Sequence, residues 1–472
     1  MSEQQSPESV QALDPADQKL AELGYSQELK RTMSLLDVVV FGLIFMVPMA
    51  PVAVFGVIFS YSGGMVALVY LVAGLAMVFS ALSYQTMAKE FPVAGSVYSY
   101  VRMSTSKFLG FIAGWAILLD YLLLPALLTI LGASALTSIA PEVPGWVWVV
   151  AFVVAASIFN LRGLSMTKKL TLVFLGIQLV ALVVFVVAAL LAISQGRATF
   201  SLSPFYNPEY FSSAIVFGAI PLAALSYVGF DAIATLNEEA KGGGRTVSRA
   251  TIIVLVLVIV MFVAQVYLAA LFVPTEGLQP GVDTNNAFYD IVGVIVSPWF
   301  KALFVLLGAF VSIFANLLVS HATTSKLVFA MARDRQLPHG LAKINPRTGA
   351  PSRSMLLISA ITLVISILAL GNIELLTTMV TFGALTAYIL LHVAVLIHFG
   401  FRGRSRSIFV HWVSPVVGIL VLGYALWSTN DIAKIVGVSW LVVGTIVGWV
   451  VLSRARRESA ESRVSSDAPS AV

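Results

Sequence analysis

Apolar and polar positions follow one another in long blocks along this chain of 472 residues. A helix that crosses a membrane needs about 20 consecutive apolar residues. Twelve apolar runs approach or exceed that length, so the pattern predicts an all-α integral membrane protein with twelve transmembrane helices. The runs lie near 35–60, 65–88, 97–137, 145–159, 167–193, 211–236, 250–273, 287–331, 354–370, 373–398, 409–428 and 432–453.

Composition excludes most other classes of protein. Only 11% of the residues are charged and 59% are hydrophobic, whereas soluble domains carry about 25% charged residues. The chain has no cysteine, which excludes a disulfide framework, a thiolate zinc site and a cysteine nucleophile. The glycines at 242–244 are not followed by the Lys-Ser/Thr of a phosphate-binding loop. We therefore expect no catalytic residue, metal or cofactor, and no nucleic-acid partner.

The positive charges predict the orientation in the bilayer. Twelve spans place both termini on one side of the membrane. If that side is the cytoplasm, 25 of the 28 Lys and Arg residues are cytoplasmic, and the exceptions are Arg197, Lys301 and Lys434. Cytoplasmic loops of membrane proteins are enriched in Lys and Arg. We therefore expect a protein of the cytoplasmic (inner) membrane with both termini in the cytoplasm.

The same pattern predicts the domain boundaries. A polar cytoplasmic segment covers residues 1–34, the transmembrane domain covers 35–453, and a polar cytoplasmic tail covers 454–472. The first residues lack a basic region followed by an apolar stretch and a cleavage site, so no cleavable signal peptide is expected.

Two of the predicted spans contain residues that interrupt helices. Span one contains Pro48 and Pro51, and span six contains Pro221 followed by Gly229 and Asp231. A proline kink would explain either span by itself. Interrupted helices at matching positions of two halves are instead typical of a transporter binding site, because freed backbone groups are tolerated only around a cavity. The pair favours a broken, substrate-lined helix in each half.

Two acidic residues lie deep within predicted spans. Asp120 is in span three and Asp231 follows the interruption in span six. An acid in a membrane helix is a candidate functional residue, although a structural acid that joins helices is the alternative. No Lys or Arg lies at the same depth, so the two acids suit a cationic ligand, a coupling cation or a proton. Tyr121, Tyr227 and Phe230 could flank an ammonium group.

Weaker polar signals lie nearby. Ser320 and His321 of span eight are placed close to an inner gate, where a lone histidine is more often structural. Glu238 and Glu239 precede the loop 241–245, and we expect them to pair with its basic residues as a lock.

Four motifs resemble those of the amino acid–polyamine–organocation permeases. They are AKEFPVAGSVYSY at 88–100, GFIAGW at 110–115, SYVGFD at 226–231 and MARDRQLP at 331–338. The resemblance implies a leucine-transporter-like fold, in which five-plus-five inverted repeats span about 35–193 and 211–398 and two peripheral helices follow at 409–453. It also implies that the binding site is lined by Ile44, Val47, Pro48, Asp120, Tyr121, Tyr227, Val228, Gly229, Asp231 and Ser320.

Within that family, two details are similar to bacterial putrescine importers. One is LLDYLLLP at 118–125, and the other is the stretch from Gly42 to Met49, where many amino acid permeases are glycine-rich. In those carriers bare amides bind the substrate carboxylate. Here Pro48 has no amide, which favours a diamine. Some family members use a span-five lysine for proton coupling, and the matching residue here, Gln178, does not titrate.

The sequence therefore predicts a secondary active importer of putrescine or a related polyamine, which works by alternating access. The proton gradient or the membrane potential is the expected driving force. An amino acid/proton symporter or an amino acid exchanger of the same fold is the main alternative. A membrane sensor would need a signalling domain, and a membrane enzyme would need a nucleophile–base pair or a metal cluster. The sequence shows neither.

Overall fold

The structure, a computed structural model, describes residues 31–466 apart from 92, 94–95, 140–141, 163, 275–277, 279–286, 336, 347, 371–372, 403–406 and 429–430. Most of the predicted segment 1–34 and the end of the tail, 467–472, thus lie outside the described residues. Within the described ranges the chain is helical, and its one β-type pairing is an isolated bridge between Met33 and Ala240.

Sixteen α-helices make up the described chain. They are α1 (Leu35–Phe45), α2 (Ala50–Tyr61), α3 (Val66–Glu90), α4 (Ser96–Ser104), α5 (Lys107–Ile139), α6 (Gly145–Leu161), α7 (Leu164–Ser194), α8 (Ser213–Tyr227), α9 (Gly243–Ala270), α10 (Ala287–Ile295), α11 (Pro298–Leu306), α12 (Ile313–Arg333), α13 (Ser352–Leu368), α14 (Ile373–Val395), α15 (Ser414–Ser428) and α16 (Asp431–Ser466).

Most of these helices have the length and apolar character of membrane spans. Nine helical segments of the described chain qualify singly, and the bent pair α1–α2 makes a tenth. The apolar helices α6 and α13 are shorter. Every predicted apolar run thus contains a helix, and the chain is an all-helical, multi-pass membrane protein. The count of twelve crossings and the inverted repeat stay predictions.

Two predicted runs are divided in the structure. Run 97–137 becomes α4 and α5, separated by a short turn in which the Ser106 hydroxyl accepts a hydrogen bond from the Leu109 amide. Run 287–331 becomes α10, α11, a π-helical segment and α12. At the start of α11 the Ser297 hydroxyl accepts from the Phe300 amide, which is an N-cap and starts a new helix.

Span one is broken where the sequence predicts it. Helices α1 and α2 meet at an angle of 44°, and the residues between them are not helical. Val47 has φ +49°, a left-handed conformation that is unfavourable for a β-branched residue. Pro51 lies in the first turn of α2, where its missing amide leaves no helical hydrogen bond unmade.

Span six is broken later than the sequence predicts. Helix α8 continues through Pro221 and ends at Tyr227, so Pro221 is not part of the interruption. The interruption is at Gly229, which has φ +116° and starts a 3-10 helix over Phe230–Leu236. A glycine has no Cβ and adopts this conformation without steric cost.

The two interruptions pack against each other. A Cβ on Gly229 would lie 2.3 Å from Cδ1 of Phe45, the last residue of α1. A Cβ on Gly42 would lie 2.6 Å from Cδ1 of Ile233 in the 3-10 helix. Two glycines therefore allow α1 and the span-six interruption to approach closely. This contact places the non-helical backbone of both spans at one position in the bundle.

Helix α16 is attached to α5 by a reciprocal tryptophan pair. Trp115 Nε1 donates to the Trp440 carbonyl at 2.9 Å, and Trp440 Nε1 donates to the Trp115 carbonyl at 2.8 Å. The two rings stack with centroids 4.6 Å apart. Gly444 leaves room for the Trp115 ring, because its Cβ would lie 2.2 Å from Cδ1. Helix α16 also continues to Ser466, so part of the predicted tail is helical.

Candidate functional site

Asp231 lies at the centre of a group of hydrogen-bond donors. Its carboxylate accepts from the hydroxyl of Tyr121 on α5 and, at 2.6 Å, from the hydroxyl of Tyr388 on α14. The backbone amides of Gly229 and of Asp231 itself also stabilise this carboxylate. A buried carboxylate needs such donors, because it has lost its hydration. Asp231 therefore joins three separate parts of the fold and is fully buried.

Asp120 is in the opposite situation. It is fully buried on α5, and within the described part of the chain neither of its carboxylate oxygens has a hydrogen-bond partner. Its neighbour in sequence, Tyr121, donates to Asp231, so the two acids lie in the same part of the bundle. Helix α14 passes nearby, since a Cβ on Gly383 would lie 3.0 Å from the Asp120 amide nitrogen. The structure thus brings the two predicted acids to the same part of the bundle, and within the described chain Asp231 has hydrogen-bond donors whereas Asp120 has none.

Aromatic rings pack together beside Asp231. Tyr388 packs against Tyr84 of α3, with centroids 5.8 Å apart, and against Phe230, with centroids 5.3 Å apart. Tyr84 and Phe230 also contact each other edge to face at 5.5 Å. Ring faces attract ammonium groups. Among the described residues no three His, Asp or Glu side chains lie together as a metal site would require.

Not all of the predicted lining residues lie at this position. Ile44 is buried near the end of α1, and Val47 is half-buried in the interruption. Val228 is the last residue before Gly229. By contrast, the Tyr227 hydroxyl donates to the Tyr70 carbonyl at 2.8 Å, and its ring packs on Tyr70 and Phe262. Tyr227 therefore joins α8 to α3 and α9, which differs from its predicted place beside an ammonium group.

Ser320, a predicted lining residue, is bonded within its own helix. Its hydroxyl donates to the Leu317 carbonyl within α12. One turn later, the Thr324 hydroxyl donates to the Tyr121 carbonyl at 2.8 Å and so joins α12 to α5 beside Asp120. Thr324 therefore supplies a contact between α12 and α5 next to Asp120.

Three side chains at the site were missed by the sequence analysis, namely Tyr84, Tyr388 and Gln265. Tyr388 and Gln265 are isolated in apolar runs and Tyr84 stands among small polar residues, and no motif or charge distinguishes any of them. Their proximity to the site depends on how distant spans pack together. The one sequence feature that could have indicated a site residue was a polar side chain in an apolar run, and of the three residues Gln265 shows it.

Gln265 of α9 stabilises the interruption of span one. Its Nε2 donates to the Pro48 carbonyl at 3.0 Å and to the Met261 carbonyl at 3.2 Å, and the residue is buried. The Pro48 carbonyl lies outside any helix, so without Gln265 it would lose this donor. The predicted site residue Pro48 thus contributes a bonded carbonyl.

Replacing Gln265 by Leu is expected to destabilise the protein by about 1–3 kcal/mol, because the buried Pro48 carbonyl loses its donor. The measurement is thermal unfolding of the purified protein in detergent. Thr251→Val is the matched control, since the Thr251 hydroxyl is bonded only within its own helix, to the Val247 carbonyl. Equal stability of the two variants would show that the bond to Pro48 does not support the interruption.

An ion-pair cluster lies after the 3-10 helix. Glu238 binds Arg333 through two hydrogen bonds of 3.1 and 3.2 Å, and Glu239 lies 2.6 Å from Lys326 Nζ. All four side chains are mostly buried. The prediction that these acids pair with the loop 241–245 was wrong, because their partners are on α12. Helix α12 runs directly alongside the end of the 3-10 helix, whereas the loop leads away into α9.

A second pairing connects the start of span one to the same region. The amides of Thr32 and Met33 both donate to the Glu239 carbonyl at 3.0 Å, and the Lys241 amide donates to the Met33 carbonyl at 2.8 Å. Arg31 also donates to the Ala240 carbonyl. The segment before α1 is therefore bonded to the segment that follows the span-six interruption.

Comparison with known proteins finds similarity to membrane transporters. The amino acid permease family matches residues 36–452. The chain is 29% identical over 429 residues to the low-affinity putrescine importer PlaP of Escherichia coli, covering 89% of this chain and 93% of that protein. It is 24% identical to the methylthioribose transporter of Bacillus subtilis, with coverage of 89% and 93%. It is also 24% identical to the branched-chain amino acid permease BcaP of Lactococcus lactis, with coverage of 84% and 89%.

The family match extends over most of the chain and includes both interrupted spans and both buried acids. It confirms the resemblance drawn from the four sequence motifs. The protein belongs to the amino acid permease family, whose members are membrane transporters rather than enzymes.

Proposed function

We propose that this permease imports putrescine or a related polyamine across the cytoplasmic membrane. The observation that carries the proposal is Asp120, a fully buried carboxylate without a described partner, whose neighbour Tyr121 bonds a second buried carboxylate, Asp231. A buried charge is unfavourable unless a counter-charge accompanies it. A small cation brought in as cargo would supply that counter-charge. The similarity to an E. coli protein named as a putrescine importer agrees with this chemistry.

Three basic residues of α4 and α12 form ion pairs away from the two acids of the site. Lys326 and Arg333 of α12 bind Glu239 and Glu238, and Arg102 of α4 binds Asp334. These cations are therefore held in the ion-pair cluster and at the end of α12. The arrangement leaves Asp120 available to an ammonium group of the substrate.

The interruption of span one supports a substrate without a carboxylate. The amides of Met46, Val47 and Ala50 donate to the carbonyls of Gly42, Ile44 and Val47, and Pro48 has no amide. Few donors therefore remain at this position for a substrate carboxylate. A diamine needs acceptors instead, and carboxylates and carbonyls supply them.

The proposed mechanism is alternating access in a twelve-span, five-plus-five fold with both termini in the cytoplasm. The ion-pair cluster and the pairing of Met33 with residues 239–241 would separate when the site opens to the cytoplasm. Either the proton gradient or the membrane potential would drive uptake. The potential supplies about 2.3 kcal/mol per charge per 100 mV, which favours entry of a dication.

Amino acid transport is the second candidate. It is favoured by the similarity to a protein named as a branched-chain amino acid permease. Its substrate would have to bring a carboxylate close to Asp120 and Asp231, where two negative charges oppose it.

Uptake by the purified protein in liposomes tests the proposal. We expect accumulation of labelled putrescine that increases with an inside-negative potential and that unlabelled spermidine or putrescine suppresses. Repeating the assay at two external pH values shows whether protons contribute. Neutral amino acids are the competing set, and liposomes without protein are the control. Strong competition by leucine or alanine, together with no putrescine uptake, would reject the polyamine proposal and favour an amino acid carrier.

A further inference from the structure

The two acids of the site are not equivalent. Asp231 accepts from two tyrosine hydroxyls and is stabilised by two backbone amides, whereas Asp120 has no partner in the described chain. A single ammonium group binds most favourably to a carboxylate that has no hydrogen-bond donor to be displaced. In this conformation that position is Asp120. A second ammonium can approach Asp231 only in competition with donors that are already bound.

Of the donors to Asp231, Tyr388 is the one that a ligand can displace with the least movement of the backbone. The two amides belong to the interruption itself, and their direction is set by Gly229. Tyr121 follows Asp120 on α5, and its carbonyl is bonded to Thr324. Tyr388 comes from a different span, α14, and its hydroxyl makes the 2.6 Å bond to Oδ1 of Asp231. Its ring packs against Tyr84 and Phe230, and these contacts hold it in place while its hydroxyl bonds the carboxylate.

We propose that Tyr388 is a specificity-determining residue that lets the site distinguish one ammonium group from two. The first ammonium binds Asp120, and the second takes the place of the Tyr388 hydroxyl on Asp231. A monoamine occupies only the first position and leaves the hydroxyl in place. A diamine of suitable length fills both positions and leaves neither acid without a donor. This inference rests on the proposed transport of polyamines and adds the order in which the two acids are used.

The proposal predicts that Tyr388→Phe increases the affinity for putrescine, although the substitution removes a polar group from the site. The variant keeps the ring that packs against Tyr84 and Phe230 and removes only the hydroxyl. Asp231 then lacks one donor in the empty site, so a second ammonium has less to displace. Putrescine should bind roughly tenfold more tightly, the equivalent of about 1.4 kcal/mol for a charged hydrogen bond. Butylamine, which has the same four carbons and one ammonium group, should bind with unchanged affinity.

The experiment measures displacement of labelled putrescine from the purified full-length protein by putrescine and by butylamine. Tyr70→Phe is the matched control, because it removes another fully buried hydroxyl, one that bonds Ser226 instead of an acid. The ratio of the two affinities should change in Tyr388→Phe and not in Tyr70→Phe. A general packing defect would weaken both amines together and leave the ratio as it is in the parent protein.

Each outcome decides the question. An unchanged ratio in a folded Tyr388→Phe protein overturns the role of Tyr388 and leaves polyamine transport intact. A parent protein that binds no putrescine overturns both proposals. If Tyr388→Phe does not fold, Tyr388→Leu removes the same hydroxyl with a smaller apolar side chain, and the same increase in the affinity ratio is expected. Its absence there would likewise overturn the displacement of hydroxyls by the second ammonium.

Discussion

Replacing Asp120 by Asn is expected to reduce putrescine uptake about 100-fold. Removing one partner of a buried charge pair costs about 2–5 kcal/mol, and each 1.4 kcal/mol is a factor of ten in affinity. Asp120 has no described partner, so under the proposed function its carboxylate is available to the ligand. The same change should leave the unfolding temperature unaltered or raise it, because it removes an uncompensated charge from the interior of the bundle. Uptake into liposomes and thermal unfolding in detergent are measured on the same preparation.

Two further substitutions show whether the loss of uptake is specific to Asp120. Asp431→Asn is the control, since that side chain is 92% exposed at the start of α16, and its uptake should equal that of the parent. Asp231→Asn should lower uptake and also lower stability, because the Tyr121 and Tyr388 hydroxyls lose a charged acceptor. If Asp120→Asn transports at the parent rate, Asp120 does not bind the cargo and the two-acid site is wrong.

Replacing Gly229 by Ala is expected to destabilise the protein by about 3 kcal/mol or more. Two costs contribute. An alanine at φ +116° is strained, and its Cβ would lie 2.3 Å from Cδ1 of Phe45. The two interruptions would have to move apart to relieve this contact. The expected readouts are a lower unfolding temperature and the loss of transport, since Asp231 follows Gly229 by only two residues.

Gly423→Ala is the matched control for this substitution. Gly423 lies inside α15, and a Cβ there would meet nothing within 4 Å. A helical glycine replaced by alanine is neutral or slightly stabilising. If Gly229→Ala is as stable as Gly423→Ala, the close approach of the two interruptions is not needed for the fold.

Hydropathy identified the class of fold because membrane spans are a local property of the sequence. Each of the twelve apolar runs contains a helix, since a chain in lipid must satisfy its backbone groups within the same segment. The division of runs 97–137 and 287–331 was missed, because Ser106 and Ser297 are weak signals within apolar surroundings. Pro221 was placed at an interruption, yet α8 continues through it.

The sequence by itself determined that this chain is a membrane protein, that it belongs to the amino acid permeases and that it has two acids within apolar spans. Apolar length, proline and glycine positions and isolated charges are visible in one dimension. Only the tertiary structure decided that the two acids differ, because Tyr388 arrives from a span more than 150 residues further along the chain to bond Asp231. It also decided that Glu238 and Glu239 pair with α12. Which donor meets which acid depends on how distant helices pack, and no local pattern records that.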